Sequence, residues 1–151
     1  MPRRLREASP LAGFLFSILL LVGLVGCGTD QTTPEISTIS VSMVIHASAK
    51  DTRWFRNVSV PKGTDAFDLT EKVTEGDIQA KYYAAYRSHL VEALLGIKNQ
   101  TPDYWRIYVW SESQNKWEPI PVGADLYSLK DGHVLAWYYG GPDDDVPSVM
   151  P

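Results

Sequence analysis

Ile39, Val41, Met43 and Ile45 alternate with Ser40, Ser42 and His46, and Trp105, Ile107 and Val109 alternate with Tyr104, Arg106, Tyr108 and Trp110. A period of two is a strand's period, so each run buries one face and leaves the other to a different environment. The core must therefore be a sheet. Flanking segments narrow where it sits. Gly28 to Glu35 consists largely of Thr, Asp, Gln and Pro, and Pro142 to Pro151 holds Asp143-Asp144-Asp145 and three prolines. Neither has the apolar surface to join a core. The folded unit is expected at 36–141, with a tether at 27–35 and an acidic tail at 142–151.

Trp54 to Val60 is rich in strand formers and follows a turn through Ala49 to Thr52, so it pairs with the first strand as a hairpin. Pro61-Lys62-Gly63 ends it, and Thr64 or Asp65 can cap a helix carrying Phe67, Leu69 and Val73, with Asp68 near its positive end. Trp117 to Val122 and His133 to Tyr139 complete five strands, the last after an Asp131-Gly132 turn. Between them the pattern is ambiguous. Ile78, Tyr82, Tyr86, Leu90 and Leu94 recur every four residues, which reads as one helix closed by Gly96. The whole is an α+β domain.

Arg3, Arg4 and Arg6 precede an apolar stretch from Leu11 to Val25, shorter than the roughly 20 residues of a spanning helix. Leu24-Val25-Gly26-Cys27 closes it and resembles the bacterial lipobox. That resemblance implies a signal peptide at 1–26, a diacylglyceryl group on Cys27, and an extracytoplasmic protein tethered to the membrane by lipid. The alternative is a short N-terminal anchor with Cys27 buried. Cleavage behind Gly26 would leave 11 basic and 17 acidic residues, a net charge of −6. Such a balance argues against a nucleic-acid partner. One cysteine also excludes an internal disulfide framework and a CxxC site.

The run Val122-Gly123-Ala124-Asp125-Leu126-Tyr127-Ser128-Leu129-Lys130-Asp131-Gly132-His133-Val134, after Tyr104-Trp105, resembles the C-terminal β-grasp domain of transcobalamin and intrinsic factor, and a group of bacterial secreted domains of that type. Gly63-Thr64 stands at the matching helix entry, and Val91-Glu92-Ala93-Leu94-Leu95-Gly96-Ile97 matches a strand of that family. The resemblance implies a single ubiquitin-like domain over about Ile39 to Tyr139, a mixed sheet crossed by one or two helices. It makes Leu90 to Leu95 a strand and leaves a helical turn or two for Asp77 to Tyr86. Three departures accompany it: no Gly precedes the Val91 strand, a longer Ser111 to Lys116 turn replaces a tight Asn-Gly hairpin, and His133 stands where an acid is usual. A corrinoid cofactor is implied by the resemblance alone. Carriers of that family enclose it between this domain and a large helical barrel for which these 151 residues leave no room, so corrinoid binding does not carry over.

Catalytic signatures are missing. There is no Gly-x-Ser-x-Gly, no His-Glu-x-x-His and no phosphate-cradling loop, and His46, His89 and His133 lack metal-ligand spacing. The expectation is a binding protein, not an enzyme, with no metal. All five tryptophans and all eight tyrosines lie beyond Cys27. If Trp105, Ile107 and Val109 face the helix, then Tyr104, Arg106, Tyr108 and Trp110 form the candidate ligand-binding face, beside Ser42 and His46 if those strands are neighbours. A small ligand, a glycan or a protein partner would suit it. Alternatively that face is a second small core under the Asp77 to Tyr86 segment or the tail, and the protein is an accessory subunit docked to an envelope complex such as a transporter.

Overall fold

The computed structural model describes residues 37–142 and 144. Cys27, the signal-like segment, the tether and most of the tail lie outside the described residues. The elements are β1 (Thr38–Ser48), β2 (Asp51–Pro61), α1 (Ala66–Val73), β3 (Ile78–Tyr83), β4 (Ser88–Leu94), β5 (Ile97–Lys98), β6 (Tyr104–Ser111), β7 (Lys116–Pro119) and β8 (Val134–Gly140), with a 3-10 turn at Ala124–Leu126. Five strands form a mixed sheet in the order β2-β1-β8-β6-β7, in which only β1 and β8 run parallel. A second, antiparallel sheet has the order β3-β4-β5. The α+β class with a mixed sheet is as the sequence implied.

One segment is corrected. Asp77 to Tyr86 holds no helical turns; it supplies β3, which pairs along its length with β4. A spacing of four residues is also two strand periods, so Ile78 with Tyr82, and Leu90 with Leu94, fit a strand as well as a helix. Gly96 closes no helix either. Leu95 (φ 51°) and Gly96 (φ 76°) form the two-residue hairpin between β4 and β5, a turn in which both central residues need positive φ.

Helix α1 begins at Asp65, whose Oδ1 accepts the Asp68 N–H at 2.8 Å. The helix lays Ala66, Leu69 and Thr70 on the main core with Met43, Ile45, Leu94, Leu135 and Trp137. Trp105 is buried in this core, and Ile107 and Val109 pack against it, as the alternation required. Thr70 is the polar pivot: its hydroxyl donates to Ala66 O (2.6 Å) and accepts the Trp137 indole N–H (2.8 Å). Among the described residues, the apolar side chains of the main core lie between Ile39 and Tyr139.

The opposite face of the large sheet carries a smaller cluster of Val44, Tyr108 and Ala136, packed against by Trp54, Trp117 and Tyr138. Its rows follow from register: Trp54, Val44, Ala136 and Tyr108 are successive partners across four strands.

Candidate functional site

The predicted face divides when seen in place. Tyr108 is only 6% exposed, so neither it nor the sheet leaves an open aromatic platform at the centre. Among the described residues the cluster that covers Tyr108 draws its members from the sheet's own strands and not from the Asp77 to Tyr86 segment, while most of the tail lies outside the described residues. Trp110 stands edge-on to Trp117 across the β6–β7 pair. Arg106 lies over the Tyr138 ring, and its Nη2 donates to Gly141 O. His46 stacks on the same Tyr138, because β8 stands between β1 and β6, and these two are therefore not direct neighbours. Tyr104 remains exposed at the strand's start, where its hydroxyl bonds Thr101. The centre of the face is thus packed on itself, while Tyr104 and Arg106 at its edge line a cavity of about 300 Å³ with Thr101, Pro102, Gly140 and Pro142.

A larger concavity lies elsewhere. A groove of about 490 Å³ opens between the β3–β4 hairpin and the segment before β8, lined by Tyr83, Tyr86 and Leu90 on one side and Pro121, Val122 and Leu126 on the other, with Ser88, His89 and Gly123 between. Of the large apolar side chains left exposed, Tyr86 (77%), Leu90 (51%), Val122 (44%) and Leu126 (52%) converge here. Leaving them in water forgoes the gain of burial, on the order of 25 cal/mol per Å², which makes convergence on one concavity a mark of use.

The groove's floor is held by Asp125. Ser88 Oγ donates to its Oδ1, while its Oδ2 accepts from the His89 N–H at 3.0 Å and from His89 Nδ1 at 2.7 Å. Burial pushes the Asp125 carboxyl up, but the hydrogen bonds from Ser88 and from the ring and backbone of His89 outweigh it and hold the group below its ordinary value. An ionised Asp125 can only accept, so the proton of the pair sits on His89 Nδ1. The His89 ring also stacks on Phe67 of α1 and meets Tyr82 at a tilt. Ser, His and Asp side chains thus meet, yet in the wrong order for a relay. The carboxylate stands between the other two, and Ser88 gives its proton to Asp125 instead of an imidazole. This is a clamp that joins β4 to the 3-10 turn.

Gly123 shows how close that junction is. A Cβ placed on it would come within 1.7 Å of Ser88 Oγ, so only glycine fits. Among the described residues no three His, Cys, Asp or Glu side chains gather as a bare metal ion would require. The groove's walls are largely apolar, with Tyr83, Tyr86, Leu90, Pro121, Val122 and Leu126 facing its space.

The sequence does not mark Tyr83, Tyr86, Ser88, His89 and Leu90 as a group, because it is the β3–β4 hairpin, pairing Tyr83 with Ser88, that brings them against the 121–126 segment. One signal was present. From Ile78 to Val91 there is no acid, although the chain as a whole carries a net charge of −4.

No family model matches the chain, and no curated protein matches it. Solved structures do. Haptocorrin, a transcobalamin-like protein solved in complex with Cbi, superposes with a TM-score of 0.59 at 18% identity over 70% of this chain. A protein of Ruminococcus gnavus ATCC 29149 with a provisional metal-binding role superposes at TM-score 0.53 and 10% identity, over 68% of this chain and 97% of its own. This chain spans only 26% of the haptocorrin chain. At these identities what is shared is the fold, and that fold agrees with the resemblance carried by Val122 to Val134.

Proposed function

We propose that the protein is a membrane-tethered, extracytoplasmic binding module whose ligand site is the groove between the β3–β4 hairpin and the 121–126 segment. The observation that carries this reading is the convergence of Tyr86, Leu90, Val122 and Leu126, all exposed, on one concavity with a hydrogen-bonded floor. A ligand with an apolar ring or branched apolar edge suits these walls, with the Tyr hydroxyls at the rim for orientation. Corrinoid is no part of the reading, since the likeness to haptocorrin covers 26% of that chain at 18% identity and concerns the fold alone.

The tether is the second half of the proposal, and it rests on the lipobox-like Leu24 to Cys27 behind three arginines. Cys27→Ala should leave the protein uncleaved or free of the membrane fraction; processing and membrane retention at wild-type level would refute the lipid anchor. For the groove, the probe is anilinonaphthalene sulfonate, an apolar dye that brightens in dry surroundings. Leu90→Glu and Leu126→Glu, both at solvent-exposed positions, should each remove most of the enhancement without lowering stability. Undiminished enhancement in both variants would refute the site.

A further inference from the structure

The tip of the β3–β4 hairpin is aromatic and cationic and carries no acid. Lys81-Tyr82-Tyr83-Ala84-Ala85-Tyr86-Arg87 holds three tyrosines, two alanines and two cations. Tyr83 and Ser88 are the last paired residues, so Ala84 to Arg87 project beyond the sheet, and all four are exposed. Tyr82 is 53% exposed. Neither Lys81 nor Arg87 has a carboxylate partner among the described residues. The nearest acids along the chain are Asp77 and Glu92. An acidic protein has thus placed an acid-free, cationic and aromatic loop at one extremity.

We infer that this tip is a bilayer-docking element, which seats Tyr82 and Tyr86 at the headgroup level of an anionic membrane with Lys81 and Arg87 on the lipid phosphates. Tyrosine has an apolar ring and a polar tip, the combination that settles at the membrane–water interface, and alanines let the loop approach without burying charge. Cations flanking such a loop meet the negative surface potential of the lipid. If Cys27 is lipidated, the ten residues from Gly28 to Ser37 reach about 35 Å at most, which keeps the domain against the bilayer. The inference goes beyond the groove and shares only Tyr86 with it, because Lys81, Tyr82 and Arg87 are outside the groove's lining.

Residues 34–151 contain every side chain of both cores and omit Cys27, so they isolate the tip's own affinity. Flotation with phosphatidylcholine vesicles containing about one-third phosphatidylglycerol should recover at least about tenfold more protein than pure phosphatidylcholine vesicles. The double variant Lys81→Glu/Arg87→Glu should abolish that preference, and Tyr82→Ser/Tyr86→Ser should lower recovery on both vesicles, while Lys116→Glu, a cation at the far hairpin, should behave as wild type. Far-ultraviolet circular dichroism confirms that each variant folds. Three results would overturn the inference: no recovery on anionic vesicles, wild-type recovery of both tip variants, or an equal loss with Lys116→Glu. Loss of dye binding by Leu90→Glu with vesicle recovery intact would leave groove and tip as separate sites, whereas a failed dye test with tip-dependent recovery would remove the groove alone.

Discussion

Asp125→Ala should destabilise the domain by about 2 kcal/mol, and the figure can be worked from its three hydrogen bonds. Each charge-assisted bond to a protected carboxylate is worth roughly 1.5–3 kcal/mol, and less where water can replace the lost partner. The Asp125 side chain is 18% exposed and that of His89 42%, so the two bonds to His89 are discounted heavily. Ser88 is buried, and its hydroxyl loses its acceptor with little water at hand. About 1 kcal/mol from Ser88 and another from His89 together give the total. Urea unfolding of the 34–151 fragment at pH 7 measures it, with an unchanged m-value as the sign that only stability moved. The pH dependence has a definite sign. Because the folded carboxyl titrates below its unfolded value of 3.8, its contribution is present above that pH and is lost as pH falls through the lower folded value. The variant should therefore lose less stability than wild type on acidification through this range. A variant within about 0.5 kcal/mol of wild type, with the same acid sensitivity, would mean that the clamp contributes nothing.

Four other outcomes follow from the packing. Thr70→Val leaves the Trp137 indole N–H without its acceptor in the core and should cost about 1–3 kcal/mol by urea unfolding, whereas Thr70→Ser should retain the bond. Tyr108→Ala should cost about 3–5 kcal/mol, the scale of a buried aromatic, which would mark the predicted face as structural at that position. Gly123→Ala should break the Ser88–Asp125 contact and cost about 1–3 kcal/mol, detected together with loss of dye enhancement. His46 is held below 6.5 by burial, and His133 by burial and then by Lys130, so their contribution is present above pH 6.5 and fades as pH falls through the folded values. His46→Gln/His133→Gln should flatten the decline in unfolding midpoint between about pH 7 and 5.

The large sheet was legible because its strands alternate. Ile39 to Ile45 and Tyr104 to Trp110 each assign one set of side chains to the main core, and the helix between Asp65 and Val73 has a cap that a sequence can show. The second sheet was legible only in part: the resemblance makes Leu90 to Leu95 a strand, as β4 is, but the apolar pattern alone shows neither β3 nor β5. Its strands are short, its hairpin turn uses Leu95 where Asn or Gly would signal positive φ, and its apolar spacing satisfies two periods at once. The site inherited that error. Read as helical, Asp77 to Tyr86 gives no reason to set Tyr83, Tyr86 and Leu90 against Val122 and Leu126, and the aromatic β6 strand draws attention instead. Whether Tyr108 is platform or core depends on Trp54, Val44, Ala136 and Tyr138 standing beside it, which is a matter of strand order. Strand order is non-local, and alternation along one strand carries no record of it.

The central claim is that the working surface lies at the β3–β4 hairpin and the 121–126 segment. Amide chemical-shift mapping of the 34–151 fragment, titrated with anilinonaphthalene sulfonate, tests it most directly. The account predicts shifts concentrated at Tyr83 to Leu90 and Val122 to Leu126, with Tyr104 to Trp110 unmoved. Shifts concentrated at Tyr104, Arg106, Trp110 and Trp117, with the hairpin silent, would contradict it.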